Sequence, residues 1–127
     1  MKKLTAEWVR KAENDPRAAR GLLAMRPPLH DEAAFHCQQA IEKYLKALLQ
    51  EHGRPILKTH DIKDLLDLLI PSDPGLRSLR RGADTLTRFA VEFWYPGPRV
   101  TARRSAWALR KALLFREAVR VRLGLST

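Results

Sequence analysis

Apolar residues recur at three- and four-residue intervals along most of the chain, and the clearest run is Ala34, Cys37, Ile41, Leu45 and Leu48. That spacing draws one stripe along a helix face. Ala40, Tyr44 and Ala47 widen the stripe, as in a helix that touches more than one neighbour. The pattern predicts a helix capped by Asp31, continuing to about His52 and stopped by Gly53. Upstream, Trp8, Val9, Ala12, Leu22 and Leu23 predict a first helix over about 6–25 with Thr5 as its N-cap. Pro16 and Gly21 fall inside it, so a kink or short break is expected near Asp15-Pro16, and Pro27-Pro28 ends the helix.

Downstream, Ile62, Leu65, Leu66, Leu68 and Leu69 predict a third helix from Thr59 or His60 to about Ile70. Leu76, Leu79, Ala83, Leu86, Ala90 and Phe93 predict a fourth over about 75–93. Tyr95-Pro96-Gly97-Pro98 cannot stay helical. Thr101 then caps a last helix reaching about Leu123, before Gly124. No alternating run is long enough for a sheet. The reading is all-α, an up-and-down bundle of four to five helices in one domain over residues 1–127.

Composition narrows the class of protein. Hydrophobic content of 45% with 30% charged residues describes a globular chain. The absence of a membrane-length apolar run or an apolar leader predicts a cytoplasmic protein. A lone cysteine, Cys37, fits a reducing compartment and a core position. The net charge is +10 and unevenly placed: residues 1–76 carry 12 Lys/Arg against 11 Asp/Glu, residues 77–127 carry 12 against 3. That asymmetry points to a polyanion or an acidic partner, or else to arginines solvated on outer helix faces.

Candidate chemistry falls in two places. The segment Arg54-Pro-Ile-Leu-Lys58-Thr59-His60-Asp61 sets a cation and a potential base side by side. A metal-free ribonuclease needs a base for the 2′-hydroxyl and a cation for charge developing at phosphorus. The plainer alternative gives His60 and Asp61 to the helix start. Histidine spacings contain no i, i+4 pair and Cys37 has no cysteine partner, so no metal or other cofactor is expected. No glycine-rich phosphate loop is present. On the last helix, Arg103 with Arg110, and Arg104 with Lys111, share a side and make a candidate phosphate-tracking surface. Arg80, Arg81, Arg88 and Arg99 extend the patch, and Trp94, Tyr95 and Trp107 stand near it as stacking, core or dimer-interface residues.

Several segments together resemble the HEPN domain (higher eukaryotes and prokaryotes nucleotide-binding). They are Trp8-Val9-Arg10-Lys11-Ala12-Glu13-Asn14-Asp15, His36-Cys37-Gln38-Gln39-Ala40-Ile41-Glu42-Lys43, Leu45-Lys46-Ala47, Lys58-Thr59-His60-Asp61 and the Tyr95-Pro96 turn. The resemblance implies a dimeric helical bundle. It also implies a minimal nucleotidyltransferase partner, as in the toxin–antitoxin pairs of small prokaryotic members. Many members are metal-independent ribonucleases with an Arg-x(4–6)-His motif, a spacing that Arg54 and His60 match. No histidine follows residue 60, and Asp61-Ile62 stands where adenylylated members carry His-x-Tyr. The expectation is therefore a cytoplasmic homodimer binding nucleotide or RNA phosphate. Gln39, Lys43, Lys46, Lys58 and His60 would form one face, with Arg103, Arg104 and Arg110 on phosphate. Two alternatives stand beside it: a toxin ribonuclease using Arg54 and His60, and a non-catalytic interaction module.

Overall fold

The computed structural model describes all 127 residues and is all-helical. Five α-helices, α1 (Lys3–Ala24), α2 (His30–Glu51), α3 (Ile62–Leu69), α4 (Ala83–Arg88) and α5 (Ala102–Arg122), are joined by short connections, with a 3₁₀ helix at Pro74–Leu79 between α3 and α4. The long helix α2 is the axis of the bundle, packed along α1 on one side and α5 on the other, with α3 and α4 closing the remaining flank. Twenty-six buried residues form one core. Ala12 and Ala19 of α1 and Ala33, Ala34 and Ala40 of α2 are buried there; small side chains let helix backbones approach closely. Tyr44, Leu45 and Leu48 of α2 and Phe115 of α5 fill the rest.

The predicted elements exist, but α3 begins at Ile62 and not at Thr59 or His60, because Asp61 caps it, and three further readings differ, each for a physical reason. First, α1 runs unbroken through Pro16, with Asp15 and Pro16 both buried. A proline there removes one backbone hydrogen bond, and packing along the whole of α2 outweighs that loss. Thr5 is a buried residue inside α1 rather than its cap. The true start is tied instead to the end of α2, where the Lys2 backbone N–H donates to Glu51 Oε1 at 2.9 Å.

Second, Asp31 lies inside α2 and caps nothing there. Its carboxylate accepts the Val100 backbone N–H at 2.6 Å, which ties the start of α2 to the approach to α5. Third, the span read as one helix over 75–93 is a 3₁₀ helix, a turn at Arg81-Gly82 and the six-residue α4. Gly82 adopts φ +84°, and a Cβ on it would stand 2.7 Å from Trp107. A left-handed residue pressed against an indole ends one helix and starts another. Thr101 does cap α5, accepting the Arg104 N–H at 3.1 Å.

Candidate functional site

α2 carries an unusual load of buried polar side chains: Gln38, Glu42 and Lys46 share one face of it and are almost wholly enclosed. They form a closed network. Glu42 Oε1 accepts from Lys46 Nζ and from His60 Nδ1, each at 2.8 Å. Glu42 Oε2 accepts from Gln38 Nε2 at 3.1 Å. Gln38 Oε1 accepts from Gln39 Nε2 at 2.8 Å. The Gln38 amide also reaches the His60 backbone carbonyl at 3.4 Å, so the buried carboxamide bonds both the histidine main chain and the carboxylate that holds its ring. Lys46 lies 5.9 Å over the Trp8 ring.

His60 is placed by a short relay of caps. The Thr59 hydroxyl accepts the Asp61 N–H, and the Asp61 carboxylate accepts the Lys63 N–H, making Asp61 the N-cap of α3. The histidine one residue earlier is thereby turned back over α2. With a carboxylate as its acceptor, Nδ1 carries the hydrogen, and Nε2 faces solvent without a partner in the chain. A carboxylate-oriented imidazole with one free nitrogen can accept or deliver a proton.

The remaining sequence candidates divide sharply. Lys43 does not stand free: its ammonium pairs at 2.8 Å with buried Asp15, which also takes His36 Nδ1 at 2.9 Å. Lys46 is enclosed and neutralised by Glu42. Lys58 is exposed, Arg54 is half-buried, and neither has an ion-pair partner. No hydrogen bond joins Arg54 to His60 within one chain. Lys43 and Lys46 are thus paired cations, while Arg54 and Lys58 have no acidic partner.

α5 divides in the same way. Its C-terminal arginines serve the fold: Arg116 and Arg120 both bind Glu13 of α1 at 2.7 Å, and Arg122 binds Asp73. Its N-terminal half is different. Arg103, Arg104 and Arg110 are exposed and no carboxylate meets them; Lys111 beside them has none either. The Arg104 guanidinium lies 5.6 Å over the Trp107 ring, which the edge of Phe89 supports from within.

Sequence reasoning named Glu42 for its polarity but missed that it is the acceptor on which the α2 network converges. Its one visible signal was the i, i+4 spacing to Lys46. Asp15 and Glu13 gave no signal, since their partners lie 21 to 107 residues away. No group of three or more His, Cys, Asp and Glu converges closely enough to hold a metal ion. Cys37 is buried, and burial together with nearby Asp15 pushes its thiol up to about 12, far from a reactive thiolate. Trp94 and Tyr95 stand out as exposed aromatics, at 66% and 75%. Phe35 packs edge-on against Trp94, and the two line an apolar hollow with Phe89 and Phe93. No helix is long and apolar enough to cross a membrane.

A family model for the HEPN domain matches residues 5–122. The fold is similar to the crystal structure of TT1696 from Thermus thermophilus, with TM-score 0.82 and 27% identity over 94% of this chain and 98% of that one. It is also similar to ST0689, described as an archaeal HEPN homologue, with TM-score 0.75 and 26% identity over 96% and 98% of the two chains. No curated protein matches significantly.

Proposed function

The chain belongs to the HEPN domain family, and we propose that it is a homodimer that binds nucleotide or RNA phosphate and works with a minimal nucleotidyltransferase partner. The observation that carries this reading is the division of arginines on α5. Those that stabilise the fold have acidic partners; Arg103, Arg104 and Arg110 do not. Uncompensated surface cations are held close together against their own repulsion, and a polyanion relieves that repulsion. Arg54 and Lys58 supply further free charge beside the α2 network. The homodimer is supported by the exposed Trp94 and Tyr95, since large aromatics in contact with water commonly mark an interface. The nucleotidyltransferase pairing rests on the resemblance to small prokaryotic HEPN proteins.

The test is an anisotropy titration of a fluorescein-labelled RNA at two salt concentrations. If about four phosphates are contacted, affinity falls roughly 50-fold between 50 and 200 mM salt. Absence of binding at the lower salt would sink the reading and leave a non-catalytic interaction module.

A second reading is favoured by the His60–Glu42 pair. Glu42 holds Nδ1–H, so Nε2 is free to take the proton of a ribose 2′-hydroxyl. That oxygen would attack phosphorus, the 5′-oxygen would leave with a proton, and Arg54 would stabilise the charge between them. This is a metal-independent ribonuclease with Arg54 and His60 as its catalytic pair, brought together across a dimer. Cleavage of total RNA in a chelator, lost in both His60→Ala and Arg54→Ala, is the result expected of it. Intact RNA with the wild-type protein would overturn it.

A further inference from the structure

The outer face of α5 has a shape as well as a charge. Trp107, Arg110, Lys111, Leu113, Leu114 and Glu117 line a shallow groove. Its floor is apolar: Leu114 is 49% exposed, a large aliphatic side chain left in water. Its walls are cationic, and Glu117 at the far end is the single carboxylate among the lining residues. Arg103 lies seven residues before Arg110, about 10 Å along the helix axis, on the same side as Trp107.

Trp107 is fixed in place. Gly82 of the preceding turn lies so close to the indole that any Cβ would collide with it, and Phe89 meets it edge-on. The exposed Arg104 guanidinium lies over the ring, 5.6 Å from its centroid. The turn that fixes the indole also brings Arg81 toward Lys111. Burial and then the Arg81 charge lower the Lys111 pKa, so this corner holds positive charge that nothing in the chain offsets.

We propose that this groove seats one base of single-stranded RNA beside Trp107, at the edge where Arg104 lies over the indole, with the flanking phosphates held by Arg103, Arg110 and Lys111. The inference rests on the phosphate-binding reading above and adds a location and a strand preference to it. An indole lining the groove beside an apolar floor offers surface to a base face, which a duplex hides within its own stack. A plain electrostatic surface would need neither feature. An acidic peptide would use the cations but leave the indole unengaged.

The three tryptophans of the wild-type protein give three indole N–H signals in a ¹H–¹⁵N spectrum, each assigned by a Trp→Phe variant. A uridine or adenine oligonucleotide is expected to shift the Trp107 signal and leave that of Trp8 in place. In the Arg103→Gln, Arg110→Gln double variant, the loss of affinity between 50 and 200 mM salt should be about 7-fold smaller than in the wild type. Both arginines are exposed and the affinity test keeps Trp107, so the fold is not at risk. Oligonucleotide binding with Trp107 unmoved and the double variant unaffected would overturn the groove while the phosphate-binding reading survives. Equal Trp107 shifts with duplex RNA or polyglutamate would overturn the preference for a single-stranded base. No RNA binding at all would remove both readings together.

Discussion

His60 Nδ1 stands 2.8 Å from Glu42 Oε1, yet the two side chains live in different media, His60 at 72% exposure and Glu42 at 6%. The buried partner holds the network together and the exposed one reads out into solvent. Removing each should therefore have unequal consequences. His60→Ala should cost under about 1 kcal/mol, as for other exposed ion pairs. Glu42→Ala strands the Lys46 ammonium and the Gln38 amide in the interior and should cost about 3 kcal/mol. Urea unfolding of both variants checks this, and equal losses would contradict the division of roles. It also makes His60→Ala a clean probe of activity, since the fold survives it.

Gly82 is the joint at the corner between the 3₁₀ helix and α4, where the chain presses against Trp107 of α5. Alanine there meets a positive φ and an indole carbon 2.7 Å away, neither of which it can relieve without moving Trp107. Gly82→Ala should destabilise the protein by about 2 kcal/mol. Near-ultraviolet circular dichroism should report the displaced indole. A variant as stable as wild type, with an unchanged tryptophan signal, would show that the corner is looser than its geometry.

The sequence made the helices legible because core-facing positions repeat at a fixed period, and that period survives whatever the helix packs against. Where it misled, a tertiary contact decided. The apolar positions Leu79, Ala83 and Leu86 continue a helical stripe across Gly82, so nothing local announced a break imposed by Trp107. Lys46 was read as part of a binding face with Gln39 and Lys43, but Gln38, Glu42 and Lys46 are buried together. They are enclosed because Trp8 and the 58–61 segment fold over them, contacts invisible in a single helix. The arginines of α5 were indistinguishable as a string; only partners far back in the chain separate Arg116, Arg120 and Arg122 from Arg103, Arg104 and Arg110. His60 stood out as a candidate because a histidine beside a helix cap is a local feature. Its orienting carboxylate lies 18 residues upstream and did not.

The proposed homodimer makes a prediction about Trp94. This side chain is 66% exposed but not free-standing, because Phe35 meets it edge-on with ring centroids 5.3 Å apart. A second chain covering the Phe35–Trp94 surface would bury both rings. Light scattering should then give twice the 14.6 kDa chain mass at micromolar concentration. Trp94→Glu should return the single-chain mass with helix content unchanged. A wild-type monomer, or a Trp94→Glu dimer, would place the interface elsewhere or remove it.

Acid stability should turn on Glu13. Burial acting alone would raise its pKa, but the hydrogen bonds from Arg116 and Arg120 outweigh that and hold it below the usual glutamate value. Burial and then Glu13 itself push the Tyr44 hydroxyl upward, so that group stays protonated and available as a donor at any physiological pH. The sign follows from the lowered carboxylate. Unfolded, Glu13 titrates near about 4.3; folded, it titrates lower, so the native state binds fewer protons through that window. Its contribution is complete above the unfolded value and is lost as pH falls through the folded one. Glu13→Gln should thus be less stable than wild type at neutral pH, by about 1 kcal/mol for a partly exposed pair of arginine contacts. Below pH 4 the two proteins should converge. Thermal unfolding of both between pH 3 and 7 measures the gap directly, and a gap that stays constant to pH 3 would mean that the arginines, and not the ionised carboxylate, fasten α1 to α5.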